Sequence, residues 1–172
     1  PGRPPDLVSA ADDSGAPRGE GRSAHVVRPA RPEEWRVHGR LLGAAFVDDP
    51  IWEWVVTDEA RRRRHLGAAF GQLVRSAAAS GNLWTTEDLA GAAMWAPPGR
   101  WKTTAGEVVR MAPSMLRAVG LRHTPSRARA LSAMDAHHPT EPHWYLAILG
   151  ADPQRRGQGI GGALLTPMVQ RC

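Results

Sequence analysis

Residues 146–165 read LAILGADPQRRGQGIGGALL, and this stretch predicts a strand, a short loop and a helix. The apolar run ends at Asp152-Pro153, and glycines then open the helix, at positions 157, 159, 161 and 162. The first turn of a helix has main-chain N–H groups without internal partners and the positive end of the helix dipole. Glycine lets an anion approach that main chain closely. The stretch therefore predicts a phosphate-binding loop.

The same glycines spell GxGxxG, which raises a dinucleotide-binding fold as the rival interpretation. In that fold the first glycine follows its strand almost directly, and an acidic residue stands about 20 positions later. Here five residues (152–156) intervene, and the chain stops before any such acid. A P-loop is excluded because no Gly-Lys-Ser/Thr follows. A glycine-rich turn without a ligand is the remaining alternative, although so many glycines weaken a helix start.

The six residues from Gln154 to Gly159, QRRGQG, match the pattern Gln/Arg-x-x-Gly-x-Gly/Ala of the GNAT N-acetyltransferase superfamily. The preceding strand, the Asp-Pro pair and the upstream stretch AAMWAPPG (92–99) also resemble a bacterial group of these proteins. The resemblance extends from about Val26 to the end of the chain and is loose over 100–140.

This resemblance implies an α/β GNAT-like acyl-CoA N-acyltransferase fold, with a central mixed β-sheet flanked by helices. It implies acetyl-CoA as co-substrate and an amine as acceptor. Strand-end main-chain groups would meet the pantetheine arm and the acetyl carbonyl, and loop amides would surround the diphosphate. Gly162 would be a helix-packing position. The strand-end residues are Leu149, Gly150 and Ala151, and the loop residues are Arg156, Gly157, Gln158, Gly159, Ile160 and Gly161.

The implied reaction is attack of an amine on the acetyl thioester. An amine with a pKa near 10.4 costs about 4.6 kcal/mol to deprotonate at pH 7, so a base is expected. The Ala151 N–H is a candidate donor to the oxyanion. Glu87 and Glu141 are candidate bases, and Tyr145, the only tyrosine, is expected to be a packing residue. No catalytic residue is assigned, because the family's acid is often a tyrosine beyond the present C-terminus.

Hydrophobic periodicity predicts a strand at 25–29, a helix starting at Pro32, a helix capped by Thr57 or Asp58, and a hairpin of strands 83–86 and 89–95. Residues 102–142 read as short helices broken at prolines and Gly120, inserted over one side of the sheet. The apolar run at 144–149 reads as a central strand buried on both faces. The run Arg61–Arg64 reads as a solvated face.

The formal net charge of +5 comes almost entirely from arginine, and it suits CoA as well as it suits nucleic acid. The expected partners are acetyl-CoA and an amine, without nucleic acid or membrane. An unpaired sheet edge leaves a homodimer open. A single cysteine and the lack of a long apolar run favour a cytoplasmic setting. Trp95, Trp101 and Trp144 are candidates for the wall of an acceptor cavity.

No metal site is predicted, because His137, His138 and His143 lie in a proline-containing loop without a second ligand pattern. Residues 1–23, rich in Pro, Gly and Ser, are expected to be disordered, and 24–172 to form one acetyltransferase domain that is incomplete at its C-terminus. Two other functions stay open: a catalytically silent CoA-binding sensor, and a dinucleotide-dependent oxidoreductase.

Overall fold

The computed structural model describes residues 25–121, 123–135 and 138–171. The tail predicted at 1–23 lies outside the described residues. Four strands and six helices follow one another in the described part, with short 3-10 turns at Pro32–Glu34 and Pro153–Arg155. They are β1 (Val27–Pro29), α1 (Trp35–Ala45), α2 (Pro50–Val55), α3 (Glu59–Ala79), β2 (Leu83–Thr86), β3 (Gly91–Ala96), α4 (Ala105–Val119), α5 (Thr124–Asp135), β4 (Tyr145–Ala151) and α6 (Ile160–Val169).

The strands form one sheet in the order β1-β2-β3-β4, flanked by helices on both faces, which confirms the α/β fold class. In one detail the sheet differs from expectation. A mixed sheet was predicted, whereas the described strands all pair antiparallel. The connections explain this, because each is either a tight hairpin or a passage through more than one helix that returns the chain in the opposite direction.

The predicted hairpin is confirmed, with Leu83 opposite Met94 and Thr85 opposite Ala92. Strand β3 begins at Gly91 rather than at Leu89, because residues 87–90 form the turn. Leu89 has a φ of 56°, and the Ala90 N–H donates to the Thr86 hydroxyl over 2.9 Å.

Strand β4 lies at the end of the strand order, so the prediction of a central strand was wrong for the described sheet. It pairs only with β3 among the described residues, and most of its side chains are half-buried. Helix α1 and helix α6 nevertheless contact it from opposite faces. An apolar run of strand length indicates that both faces of the strand are covered. It does not indicate whether one or two strands pair with it.

Two hydrophobic clusters fill the space on the two faces of the sheet. One joins α1 and α3 to the sheet around Leu42, Phe70 and Leu83. The other joins α6 to the opposite face around Trp95, Ile160 and Leu164. The molecule therefore has helix, sheet and helix layers, as the alternation of elements requires.

Helices α1 and α3 cross at glycines, which allows their backbones to touch. A Cβ added at Gly39 would lie 2.5 Å from the Gly71 Cα, and one at Gly43 would lie 2.5 Å from the Gly67 Cα. Real Cβ atoms do not approach backbone so closely. The glycine spacing of four residues on each helix thus sets the crossing distance.

Two expectations for the helices were wrong. Helix α4 continues through Pro113 and packs mainly on α3 rather than directly on the sheet. A capping box at Thr104 and Glu107 stabilises its start, which offsets the hydrogen bond that the proline removes.

In the arginine run, Arg62 is buried, and its guanidinium donates to Val47 O and to Val56 O, the latter over 2.8 Å.

Candidate functional site

The glycine-rich segment leaves β4 through a capped turn. The Asp152 N–H donates to Ala90 O over 2.8 Å, and the Asp152 carboxylate accepts from Gln154 N over 2.9 Å. Gly157 and Gly159 then have φ angles of 81° and 83°, in the left-handed region that favours glycine. Helix α6 begins at Ile160, three residues later than the first glycine suggested.

The main-chain N–H groups of residues 156–162, called here the amide loop, are unpaired. Among the described residues, no hydrogen bond engages any of them, and no side chain caps Gly159. The next amide, that of Ala163, donates to Gly159 O over 3.0 Å as in a regular helix. Residues 156–158 are exposed. The loop can therefore offer several N–H donors and a helix N-terminus to one anion.

Packing holds the start of α6 against the sheet. Ile160 and Leu164 are buried and contact β3 at Gly91, where an added Cβ would lie 2.5 Å from Ile160 Cγ2. Gly161 faces β4, with Leu149 Cδ2 3.8 Å from its Cβ position. Gly162, for which a packing role was implied, has no atom within 4 Å of its Cβ position.

An ion pair ties the amide loop to the β2-β3 hairpin. Arg155 Nη1 lies 2.6 Å from Asp88 Oδ2, and its Nε donates to Gln158 Oε1 over 3.2 Å. Hydrogen bonds from Thr86 and then from Arg155 lower the pKa of Asp88 to about 2, so the carboxylate is charged at neutral pH. No local pattern in the sequence predicts this pair, because its members stand 67 residues apart.

The side chain of Arg156 turns away from the loop. Its Nη2 donates to Ala45 O at the end of α1 over 3.5 Å. The residue thus contributes its amide to the loop and its guanidinium to the surface between α1 and α3.

The main chain of β4 presents alternate residues to its open edge. The Asp152 N–H points to β3, and in an antiparallel pair successive N–H groups point alternately toward and away from the partner strand. The N–H of Gly150 therefore points to β3. The N–H groups of Leu149 and Ala151 point away from β3. Gly150 is buried, and its Cβ position lies 2.7 Å from Leu42 Cδ2. Leu149 and Ala151 can therefore offer main-chain groups to a ligand, whereas Gly150 serves close packing against α1.

Among the candidate bases and the tyrosine, Glu87 lies at the opposite end of the β3-β4 pair from Tyr145. Glu87 is at the hairpin and accepts from Arg28 Nε over 2.8 Å. Glu141 is exposed before β4, and its main-chain oxygen contacts His143 Nδ1 at 2.6 Å. Tyr145 is the first residue of β4, and its ring meets the His138 ring edge-on at 4.7 Å. None of these contacts identifies a catalytic group.

A cavity of about 470 Å³ lies between α3, β3, the 97–104 segment and α4. Trp95 and Trp101, two of the three tryptophans predicted for an acceptor cavity, line it. Trp144 packs instead against the cluster around Ile160. Glu107 also lines this cavity, and hydrogen bonds from Ser76 and Thr104 lower the pKa of its carboxyl.

His137 lies outside the described residues. His138 and His143 stack with ring centroids 4.9 Å apart, and Trp101 stacks on the other side of His138. Within the described ranges, no three His, Cys, Asp or Glu side chains are grouped to hold a metal ion. No helix in those ranges has the length and apolar character needed to cross a bilayer.

Comparison with solved structures connects this geometry to a known fold. The structure of the histone acetyltransferase HPA2 and related acetyltransferase from Corynebacterium glutamicum superposes with a TM-score of 0.64 at 24% identity, covering 87% of this chain and 72% of that one. The chain has the GNAT acetyltransferase fold. A mutant of agmatine N-acetyltransferase in its apo form superposes with a TM-score of 0.52 at 22% identity, covering 87% of this chain and 70% of that one. No family model matches the sequence.

Proposed function

We propose that this protein binds acetyl-CoA and transfers its acetyl group to an amine. The observation that carries the proposal is the row of unpaired amides at 156–162, which begins at the exposed residues 156–158 and leads into helix α6. In this proposal the amides bind the diphosphate, and the open-edge main chain of Leu149 and Ala151 meets the pantetheine arm and the thioester carbonyl. Gly150 allows β4 to lie close to α1.

The shared fold supports this function over a dinucleotide-dependent oxidoreductase. The two solved structures named above are acetyltransferases by name, one of them for agmatine. Agmatine is an amine, which agrees with an amine acceptor here. The cavity lined by Trp95 and Trp101 is our candidate for the acceptor site, with apolar walls and the Glu107 carboxylate.

Binding and turnover separate the three candidate functions. We expect acetyl-CoA and CoA, but not NAD, to raise the melting temperature, because a ligand that binds only the folded state stabilises it. Release of free thiol with a panel of amines then distinguishes an enzyme from a silent sensor. Stabilisation by NAD alone would falsify the acetyl-CoA assignment.

Gly157→Ala tests the amide loop directly. Gly157 has a φ of 81° and open space around its Cβ position, so alanine adds strain of about 1–2 kcal/mol and shifts the loop amides. We expect the dissociation constant for acetyl-CoA to rise about tenfold or more, measured by calorimetry.

Gly81→Ala is the matched control for this variant. Gly81 has a φ of 71° and equally open surroundings, but it lies in the turn between α3 and β2. The two variants should lose similar stability, while only Gly157→Ala loses affinity. Equal affinities in the two variants would count against the loop as the diphosphate site.

A further inference from the structure

A second cavity lies beside the amide loop, on the other side of Arg156. It is a groove of about 850 Å³ along the outer side of α1 and α3, called here the arginine groove. Its floor is made by the glycines at which the two helices cross, Gly43, Gly67 and Gly71. Arg156 and Pro153 of the 153–156 segment close one end, and Trp35 lines the other end.

The helix crossing brings arginines from both walls together. The Cβ position of Gly67 lies 3.3 Å from the Arg40 Cα, so Arg40 faces α3 at this level. Arg64 stands one turn before Gly67 on the same side of α3. Arg36, one turn before Arg40, lies 4.3 Å from the centroid of the Trp35 ring. Positive side chains thus border the groove along both of its walls.

Nothing in the described structure neutralises most of this charge. Asp48 is the acid among the lining residues, and Arg63 pairs with it at 3.5 Å and with Glu59 at 2.8 Å. Among the described residues, the side chains of Arg40 and Arg64 have neither a hydrogen bond nor an ion pair, and both residues are exposed. Like charges gathered in a concave surface raise the local concentration of anions.

The dimensions and the lining indicate the class of ligand. Small-molecule sites hold roughly 300–1,000 Å³ and combine apolar walls with a few polar groups. This groove has glycines, alanines, Val47 and Trp35 as apolar surface, and Gln72 as a neutral hydrogen-bonding side chain. Guanidinium groups bind phosphate through paired hydrogen bonds. We propose that the arginine groove binds a nucleotide-sized organic phosphate, with Arg40 and Arg64 as its anion-binding pair.

Two sources could supply such a phosphate. One is a separate nucleotide that binds independently of the amide loop. The other is the phosphoadenosine end of CoA itself, because Arg156 belongs to both the amide loop and the groove. The second source rests on the proposed function, and the first does not.

The test measures dissociation constants by calorimetry at one fixed, low ionic strength. The probes are CoA, 3′-dephospho-CoA and adenosine 3′,5′-bisphosphate. The variant is the double substitution Arg40→Gln with Arg64→Gln, and the matched control is Arg110→Gln with Arg117→Gln on α4, which removes the same charge elsewhere. Ala68→Glu, at an exposed position in the groove, adds a carboxylate there and should act like the double variant.

We expect one of two patterns in the groove variants: bisphosphate binding weakens at least about tenfold while CoA binding is unchanged, or CoA binding weakens by that factor while dephospho-CoA binding is unchanged. The first pattern indicates a separate nucleotide and the second the 3′-phosphate of CoA. The α4 control should change each constant by less than about twofold. The proposal is overturned if the groove variants bind all three probes as wild type does, or if the control loses as much.

The outcomes also separate this proposal from the acetyltransferase proposal. If the wild-type protein binds acetyl-CoA and the groove variants bind every probe as the wild type does, the groove proposal is refuted and the acetyltransferase proposal is not. If bisphosphate binding depends on Arg40 and Arg64 but the protein does not bind acetyl-CoA, the acetyltransferase proposal is refuted and the groove proposal is not.

Discussion

Three hydrogen bonds hold the carboxylate of Glu34. Arg28 donates to both of its carboxylate oxygens, over 2.8 and 3.0 Å, and the Arg31 N–H donates over 2.7 Å. The hydrogen bonds from Arg28 are the main cause that lowers the pKa of Glu34 from 4.5 to about 2. The side chain is 12% exposed, so solvent screens the pair little.

This pKa gives a pH dependence of stability. A carboxyl whose pKa is lower in the folded state contributes stability above its unfolded pKa and loses it as pH falls through the folded one. The contribution of Glu34, about 2–3 kcal/mol, should therefore be complete above about pH 5 and disappear towards pH 2. Glu34→Gln should lower the free energy of unfolding by about 2 kcal/mol at pH 7 and much less near pH 3. Urea titrations at both pH values measure this.

Glu33→Gln is the control, since Glu33 is the exposed neighbour in the same turn. It should change the free energy of unfolding by no more than about 0.5 kcal/mol at either pH. If Glu34→Gln costs as much at pH 3 as at pH 7, its effect does not come from the ionised carboxylate.

Arg62 differs from its neighbours in the arginine run. It is 5% exposed, and its guanidinium satisfies two main-chain oxygens of the segment between α1 and α3. Arg62→Gln leaves buried acceptors unpaired and should cost about 2–4 kcal/mol of unfolding free energy. Arg61→Gln, at an exposed position, should cost at most about 0.5 kcal/mol. Equal losses in urea denaturation would contradict the buried role.

At the scale of elements, the close crossing of α1 and α3 depends on glycine. Gly43→Ala places a methyl group 2.5 Å from the Gly67 Cα, so the helices must separate or tilt. We expect a loss of about 2 kcal/mol or more in the free energy of unfolding, measured by thermal and urea denaturation.

Gly106→Ala provides the comparison for Gly43→Ala. Gly106 lies in the first turn of α4 with no atom within 4 Å of its Cβ position. Alanine there should leave stability unchanged or raise it by up to about 1 kcal/mol, because alanine favours helix. A similar gain in Gly43→Ala would show that the backbones do not meet at the crossing.

Local signals in the sequence were sufficient for several elements. The hairpin at Leu83–Thr86, the cap at Asp58 and the strand-loop-helix unit around Gly157 all follow from neighbouring residues, and the structure has each of them. Position in the sheet was not readable, because edge and centre depend on pairing partners far along the chain. The buried Arg62 and the pair of Asp88 with Arg155 were missed for the same reason.

The candidate site was predictable only in its main chain. The glycine pattern around the amide loop indicated free amides, and these are present. Side-chain roles were not predictable, since Arg156 turns to Ala45, Gly150 packs on Leu42 and Gly162 faces open space. Such contacts arise from tertiary packing, and a local sequence motif does not predict them.

At the scale of the whole molecule, one sheet separates two hydrophobic clusters. Leu42 belongs to the cluster on the α1 and α3 side, and Leu164 to the cluster on the α6 side, and both are fully buried. Because β3 contributes residues to both clusters, loss of either should unfold the whole described domain. Small domains of this kind usually unfold in one cooperative transition.

Leu42→Ala and Leu164→Ala should each lower the free energy of unfolding by about 2–5 kcal/mol. In both variants, far-UV circular dichroism and tryptophan fluorescence should report the same urea midpoint. Transitions that separate in either variant would show that the two faces of the sheet fold independently.

The unpaired amides at 156–162 have a consequence for how this surface can vary. Every amino acid except proline carries the same peptide N–H, so the donors persist through almost any exchange of the side chains around them. The backbone geometry at Gly157 and Gly159 and the buried packing of Ile160 constrain the choice of residue at those positions. The exposed side chains of residues 156–158 can therefore change in charge and size while the loop keeps the same N–H donors.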